Sequence, residues 1–175
     1  FTDVAAARRI VTDPGEFQRN IFRTARISES MGIADDLFRL LPEDVIYKWW
    51  DHDVRSIYAQ QGNSLEWGAE RMERAEPLVR SILSDADDAI AGGRVAADLK
   101  FGHDYPLLAL CGYLGISGVG DRLGFDEIPY RWYDSRNTPF ASNLQLVFYR
   151  CPKQSDVLVK AVYNGVERGI SGLQP

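Results

Sequence analysis

The sequence is poor in the residues that build metal sites and disulfide frameworks: it has two cysteines, Cys111 and Cys151, and two histidines, His52 and His103. A single cysteine pair so widely spaced defines neither a zinc motif nor a disulfide scaffold, and it leaves the redox compartment open. The histidines are equally few, so no group with metal-ligand spacing is present and neither a metal nor a cofactor is expected. Positive charge is also scarce. Against 25 Asp and Glu stand 20 Lys and Arg, for a net charge of −5 and a pI of about 5.1. That balance argues against a general electrostatic grip on nucleic acid or anionic lipid, so any phosphate-bearing ligand would need a local cationic cradle. Long apolar runs are missing too: stretches such as Leu107–Gly112 fall far short of the roughly 20 residues that cross a bilayer. No basic-then-apolar leader is visible, and a chain that opens on Phe1 is expected to be processed, trimmed or partial.

What the sequence does contain is ordinary for a folded globular domain: 45% apolar and 26% charged residues over 175 positions. From Phe1 to about Ile90 the pattern is helical. Asp13-Pro14 reads as a helix start, the aspartate as cap and the proline at the first helical position, and Pro42-Glu43-Asp44 repeats the logic before Val45–Trp50. A turn at Gln61-Gly62-Asn63-Ser64 breaks the pattern. Glu73–Ile90 then carries Leu78, Ile82, Ala86 and Ile90 four residues apart and ends at Gly92-Gly93, a glycine stop.

The character changes at Arg94. Val95–Phe101 is predicted to be a buried strand, Gly102–Pro106 a turn, and Leu107–Leu114 a helix with Pro106 at its first position. Leu144–Arg150 and Val157–Tyr163 read as two strands joined by the hairpin segment Cys151–Asp156. The expected fold is therefore α/β, with a helical cap region over 1–93 and part of an α/β sheet, including a C-terminal β-hairpin, over 94–175. So few strands make an incomplete sheet, and the abrupt stop at Gly172–Pro175 suggests that the protein continues on both sides.

His103 and Asp104 fall where the predicted strand gives way to a helix, the edge at which open α/β sheets hold their ligands. The free N–H groups and positive end of that helix suit a phosphate. There a histidine can donate to a phosphoryl oxygen while the neighbouring carboxyl protonates a leaving alcohol. The plainer reading stands beside it: Asp104 caps the helix and His103 closes a strand.

A resemblance shifts the balance between these readings. Asp98-Leu99-Lys100-Phe101-Gly102-His103-Asp104, followed by Pro106-Leu107-Leu108-Ala109-Leu110, resembles the His-Asp signature of histidine acid phosphatases, the group of phytases and multiple inositol polyphosphate phosphatases. Gly62-Asn63-Ser64, Ala86–Gly93 and Pro139–Tyr149 are similar to segments of bacterial members. The resemblance implies an incomplete histidine phosphatase fold and a phosphomonoester hydrolase that works through a phosphohistidine. It gives His103 phosphate binding and Asp104 the proton-donor role, and it implies a phosphorylated small-molecule substrate, inositol phosphates included. It also implies a periplasmic or secreted address. The chain departs from the pattern at one point: the Arg-His-Gly-x-Arg-x-Pro motif that carries the family's nucleophile is absent. His52, set between Asp51 and Asp53 without arginines, does not replace it. The remainder of the protein's own chain is then the expected partner, and a non-catalytic phosphate-binding module on the same scaffold is the alternative.

Lesser candidates complete the reading. Lys100 stands where many relatives carry arginine, and Asn143 precedes a strand; each is a substrate-binding candidate with a plain structural role as its rival. Lys48, Arg55 and Arg71 could meet extra phosphates but read better as solvated surface. Trp49, Trp50 and Trp67 read as a binding wall or as core.

Overall fold

The computed structural model describes residues 2–151, 153 and 155–171. The chain forms two compact units, Phe1–Asp53 and Val54–Pro175.

The first unit is helical. Helices α1 (Val4–Ile10) and α2 (Pro14–Ile27) are followed by two 3-10 turns, Glu29–Met31 and Leu37–Leu40. Asp13 caps α2 as its sequence dictates, its Oδ1 accepting from the N–H of Gly15 at 2.8 Å and of Glu16 at 3.0 Å. Phe22 and Ala25 form the buried stripe of α2, and the Phe22 and Phe38 rings meet edge-on at 6.1 Å. Helix α3 (Glu43–Gln61) starts beside Pro42 as expected but runs well past Trp50, ending at the turn before Asn63.

The second unit holds α4 (Gly68–Glu73), α5 (Glu76–Ile90), α6 (Asp104–Leu114), α7 (Ile128–Arg131) and α8 (Asp134–Asn137), then strands β1 (Leu144–Arg150), β2 (Val157–Tyr163) and β3 (Val166–Arg168). The sheet is antiparallel in the order β1-β2-β3, with Leu144 opposite Tyr163 and Arg150 opposite Val157. Both predicted hairpin strands form with the expected bounds. The connecting Cys151–Asp156 segment includes Pro152 and Gln154, and these lie outside the described residues, as does the Gly172–Pro175 terminus. Helices and sheet together give the α/β class.

The core of this unit is made by residues from many elements: Tyr58, Ile116 and Ile128 have no measurable exposure, and Trp132 has 1%. Tyr58 and Trp132 pack edge to face at 5.0 Å, and burial pushes the Tyr58 phenol upward in pKa. Helix α6 is nearly all apolar and sinks Leu108, Leu110 and Cys111 into this core. It stops at Gly115, whose φ of +62° is the left-handed conformation a glycine takes without strain.

Two expectations are corrected. Val95–Phe101 forms no strand: residues 94–103 lie in neither helix nor sheet, and Val95, Leu99 and Phe101 are 63%, 73% and 92% exposed. A strand exists only when a neighbour takes up its N–H and C=O groups, and no described segment does so here. Helix α6 also begins at Asp104, so Pro106 is its third residue and His103 occupies the cap position. The proline remains compatible because the first four helical N–H groups have no partner within the helix.

Candidate functional site

The candidate site is the entry to α6. His103 has an extended backbone (φ −96°, ψ 168°) and precedes the first helical residue without its side chain capping any N–H. Its imidazole is exposed and has no hydrogen-bond partner among the described residues. Asp104 opens the helix. Its Oδ1 accepts from the Tyr105 N–H at 3.0 Å, and Oδ2 has no partner among the described residues. One carboxylate oxygen is thus anchored by the backbone while the other has no partner among the described residues, at the positive end of an 11-residue helix.

Behind the helix entry stands Tyr163, 2% exposed at the end of β2, whose hydroxyl donates to the carbonyl oxygen of Asn137 at 2.5 Å. Burial, reinforced by the nearby Cys111 and Asp104, pushes its phenol up to about 12. The tyrosine is therefore neutral, and near enough to Asp104 for the carboxylate's charge to be felt. Cys111 is equally inert: burial alone pushes its thiol up to about 12.

Lys100, three residues before His103, spends its ammonium on two carboxylates, Asp85 Oδ2 on α5 and Asp98 Oδ2, each at 2.8 Å. The hydrogen bonds that its ammonium donates to Asp85 and then Asp98 raise its pKa, and the same contact with Lys100 lowers that of Asp85. Asn143 closes the mouth of the hairpin. Its N–H donates to Asn164 Oδ1 at 2.9 Å, its Nδ2 to the Ala141 carbonyl at 3.2 Å, and its Oδ1 accepts from Gln145 at 3.1 Å.

Most of the remaining candidates are engaged elsewhere. Lys48 pairs with Asp44 one helical turn back at 2.8 Å. Arg55 donates to the Phe125 carbonyl and lies over the Phe125 ring at 4.7 Å. Arg71 is half-buried on α4. His52 meets Trp49 edge-on at 5.9 Å and Trp50 lies 5.7 Å from Tyr47, all in α3, whereas Trp67 precedes α4 and is half exposed. Asp85 and Tyr163 escaped the sequence reading. Asp85 looks like any solvated helix carboxylate, and Tyr163 reads simply as the last residue of a strand.

Residues 16–164 match the family described as the histidine phosphatase superfamily (branch 2). Among solved structures, the apo form of the Bifidobacterium longum multiple inositol polyphosphate phosphatase superposes with a TM-score of 0.61 at 22% identity. The match covers 79% of this chain but 30% of that one, so this chain spans less than a third of its neighbour's length. No curated protein matches in sequence. The family match spans most of the chain and makes the assignment: the chain belongs to branch 2 of the histidine phosphatase superfamily.

Proposed function

We propose that this chain is the C-terminal part of a histidine-type acid phosphatase acting on phosphomonoesters, inositol polyphosphates among them, with residues 1–93 as its cap region and 94–175 as part of its core. The observation that carries the proposal is the pair at the entry to α6: an exposed His103 imidazole without a partner among the described residues, beside an Asp104 carboxylate with one oxygen anchored and the other without a partner among them. A histidine nucleophile from residues beyond these 175 attacks phosphorus. The bond from phosphorus to the ester oxygen breaks, His103 donates to a phosphoryl oxygen, and protonated Asp104 gives its proton to the departing alcohol. Water then attacks the phosphohistidine, Asp104 takes the proton back, and inorganic phosphate leaves. Lys100 and Asn143 stand on either side in sequence as lesser substrate contacts. A periplasmic or secreted setting suits such an enzyme.

The test is phosphate release from inositol hexakisphosphate and from p-nitrophenyl phosphate by the protein as encoded, wild type against Asp104→Asn and His103→Ala. Loss of about 100-fold or more in kcat for Asp104→Asn is expected for a proton donor. Unimpaired turnover in that variant sinks the acid role. A protein that binds inorganic phosphate through His103 yet releases none from either ester is instead a phosphate-binding module, a reading favoured by the missing Arg-His-Gly motif.

A further inference from the structure

Asn164 and Gly165 make the two-residue turn between β2 and β3, with Tyr163 paired to Val166 across it. Both take positive φ, +48° and +79°, the left-handed backbone that an Asn-Gly hairpin turn requires. The same dipeptide carries a reactive bond. An asparagine followed by glycine presents its side-chain carbonyl carbon to a main-chain nitrogen that no neighbouring side chain screens. Of the five asparagines in the chain only Asn164 precedes glycine; Ile21, Ser64, Thr138 and Leu144 follow the others.

The fold holds this amide by both ends. Its Oδ1 accepts from the Asn143 N–H at 2.9 Å and its Nδ2 donates to Ser142 Oγ at 3.4 Å, while the Asn164 N–H donates to the Asn143 carbonyl at 3.0 Å. Ser142 is fastened in turn, its hydroxyl donating to the Pro139 carbonyl at 2.6 Å. These partners all lie in the turn that precedes β1, so the clasp is built from the chain's own described residues. A side chain pinned at both Oδ1 and Nδ2 is not free to turn the face of its amide toward the Gly165 nitrogen.

We propose that Asn164 is a site of spontaneous deamidation, held in check by its clasp to Ser142 and Asn143. The Gly165 nitrogen bonds to Asn164 Cγ, the Cγ–Nδ2 bond breaks, and ammonia leaves with the proton of the attacking nitrogen. Water opens the resulting succinimide at either carbonyl, giving aspartate or isoaspartate, and no other co-reactant is needed. The two products differ in consequence. Aspartate keeps an acceptor for the Asn143 N–H and loses the donor to Ser142. Isoaspartate adds a main-chain carbon between Tyr163 and Val166, which a two-residue turn cannot absorb without disturbing the register of β2 and β3.

The test incubates the protein as encoded at mildly alkaline pH and follows each asparagine by peptide mass spectrometry, with isoaspartyl methyltransferase labelling to mark the rearranged product. In guanidinium chloride Asn164 is expected to react first of the five asparagines. In the folded protein it reacts at least about tenfold more slowly, because the amide is released only in local openings of the hairpin. Ser142→Ala, which removes the Nδ2 acceptor, speeds the folded-state reaction about two- to tenfold, the net worth of one hydrogen bond, and leaves the rate in denaturant unchanged. If another asparagine reacts first in denaturant, Asn164 is not the site and the proposal fails. Equal rates in folded and unfolded protein overturn the clasp as its check, as does a Ser142→Ala variant with no acceleration. An acceleration in Ser142→Ala spread over all five asparagines reports general unfolding and overturns it equally.

Discussion

The Tyr163 hydroxyl donates to the main-chain carbonyl of Asn137 at 2.5 Å, tying the end of β2 to α8 across 26 residues of sequence. Both residues are buried, so the carbonyl has no water to turn to if the donor is removed. Tyr163→Phe is expected to destabilise the fold by about 1–3 kcal/mol, seen as a lower urea midpoint with an unchanged slope. An unaltered midpoint would show that the bond contributes nothing.

The same phenol makes stability depend on alkaline pH. Burial raises its pKa to about 12 in the folded state from the ordinary tyrosine value of 10.0. Between those values the unfolded chain has lost a proton that the folded chain keeps, so the stabilisation is complete below pH 10 and lost as pH rises toward 12. Tyr58 and Cys111 are shifted in the same direction by burial. The urea midpoint should therefore fall steeply above pH 10, and less steeply in Tyr163→Phe.

Gly120 and Gly102 should respond oppositely to alanine. A Cβ on Gly120 would overlap the carbonyl of Cys111 in α6, a backbone atom that cannot turn aside, whereas one on Gly102 meets nothing within 4 Å. Overpacking of this kind costs roughly 1–3 kcal/mol or more. Gly120→Ala should thus lower the thermal midpoint by several degrees, and Gly102→Ala should leave it within experimental error.

How much of this was legible depended on whether the signal was local. The Asp13-Pro14 helix start and the two hairpin strands were readable because caps, proline positions and alternating apolar residues act over a few residues, and the structure shows them with the expected bounds. The His103–Asp104 position at a helix entry was readable for the same reason. Val95–Phe101 was misread because apolar, β-prone composition says that a segment fits a sheet, and only a neighbouring strand makes it one. The Lys100–Asp85 link joins residues fifteen apart across a loop, with no periodicity to betray it. Asn143 answers to Asn164 in the turn between β2 and β3, again beyond local pattern.

The two cysteines offer a direct check on the core. Cys151 is exposed, while Cys111 is fully buried with its thiol raised by that burial. At pH 8, alkylation with iodoacetamide should add one label within minutes, located at Cys151 by mass spectrometry. Cys111 should react only as fast as the protein unfolds, because the thiolate is the reactive species and the folded core suppresses it. Rapid double labelling would contradict the packing of α6 described above.

Phe101 separates the chain as described from the phosphatase proposed for the whole protein. At 92% exposure its ring contributes almost nothing to the stability of these 175 residues, so Phe101→Ser here should fall within the ±0.5 kcal/mol typical of surface changes. If residues beyond this chain complete the sheet alongside Val95–Phe101, the ring becomes core in the longer protein. The same substitution should then cost about 3 kcal/mol or more. It should also disturb His103, two residues on, and so lower phosphate release. Denaturation of both forms with and without the substitution measures the difference. Equal, small effects in both would mean that the segment is not a strand of the complete enzyme, and that His103 and Asp104 are carried to the active site in some other way.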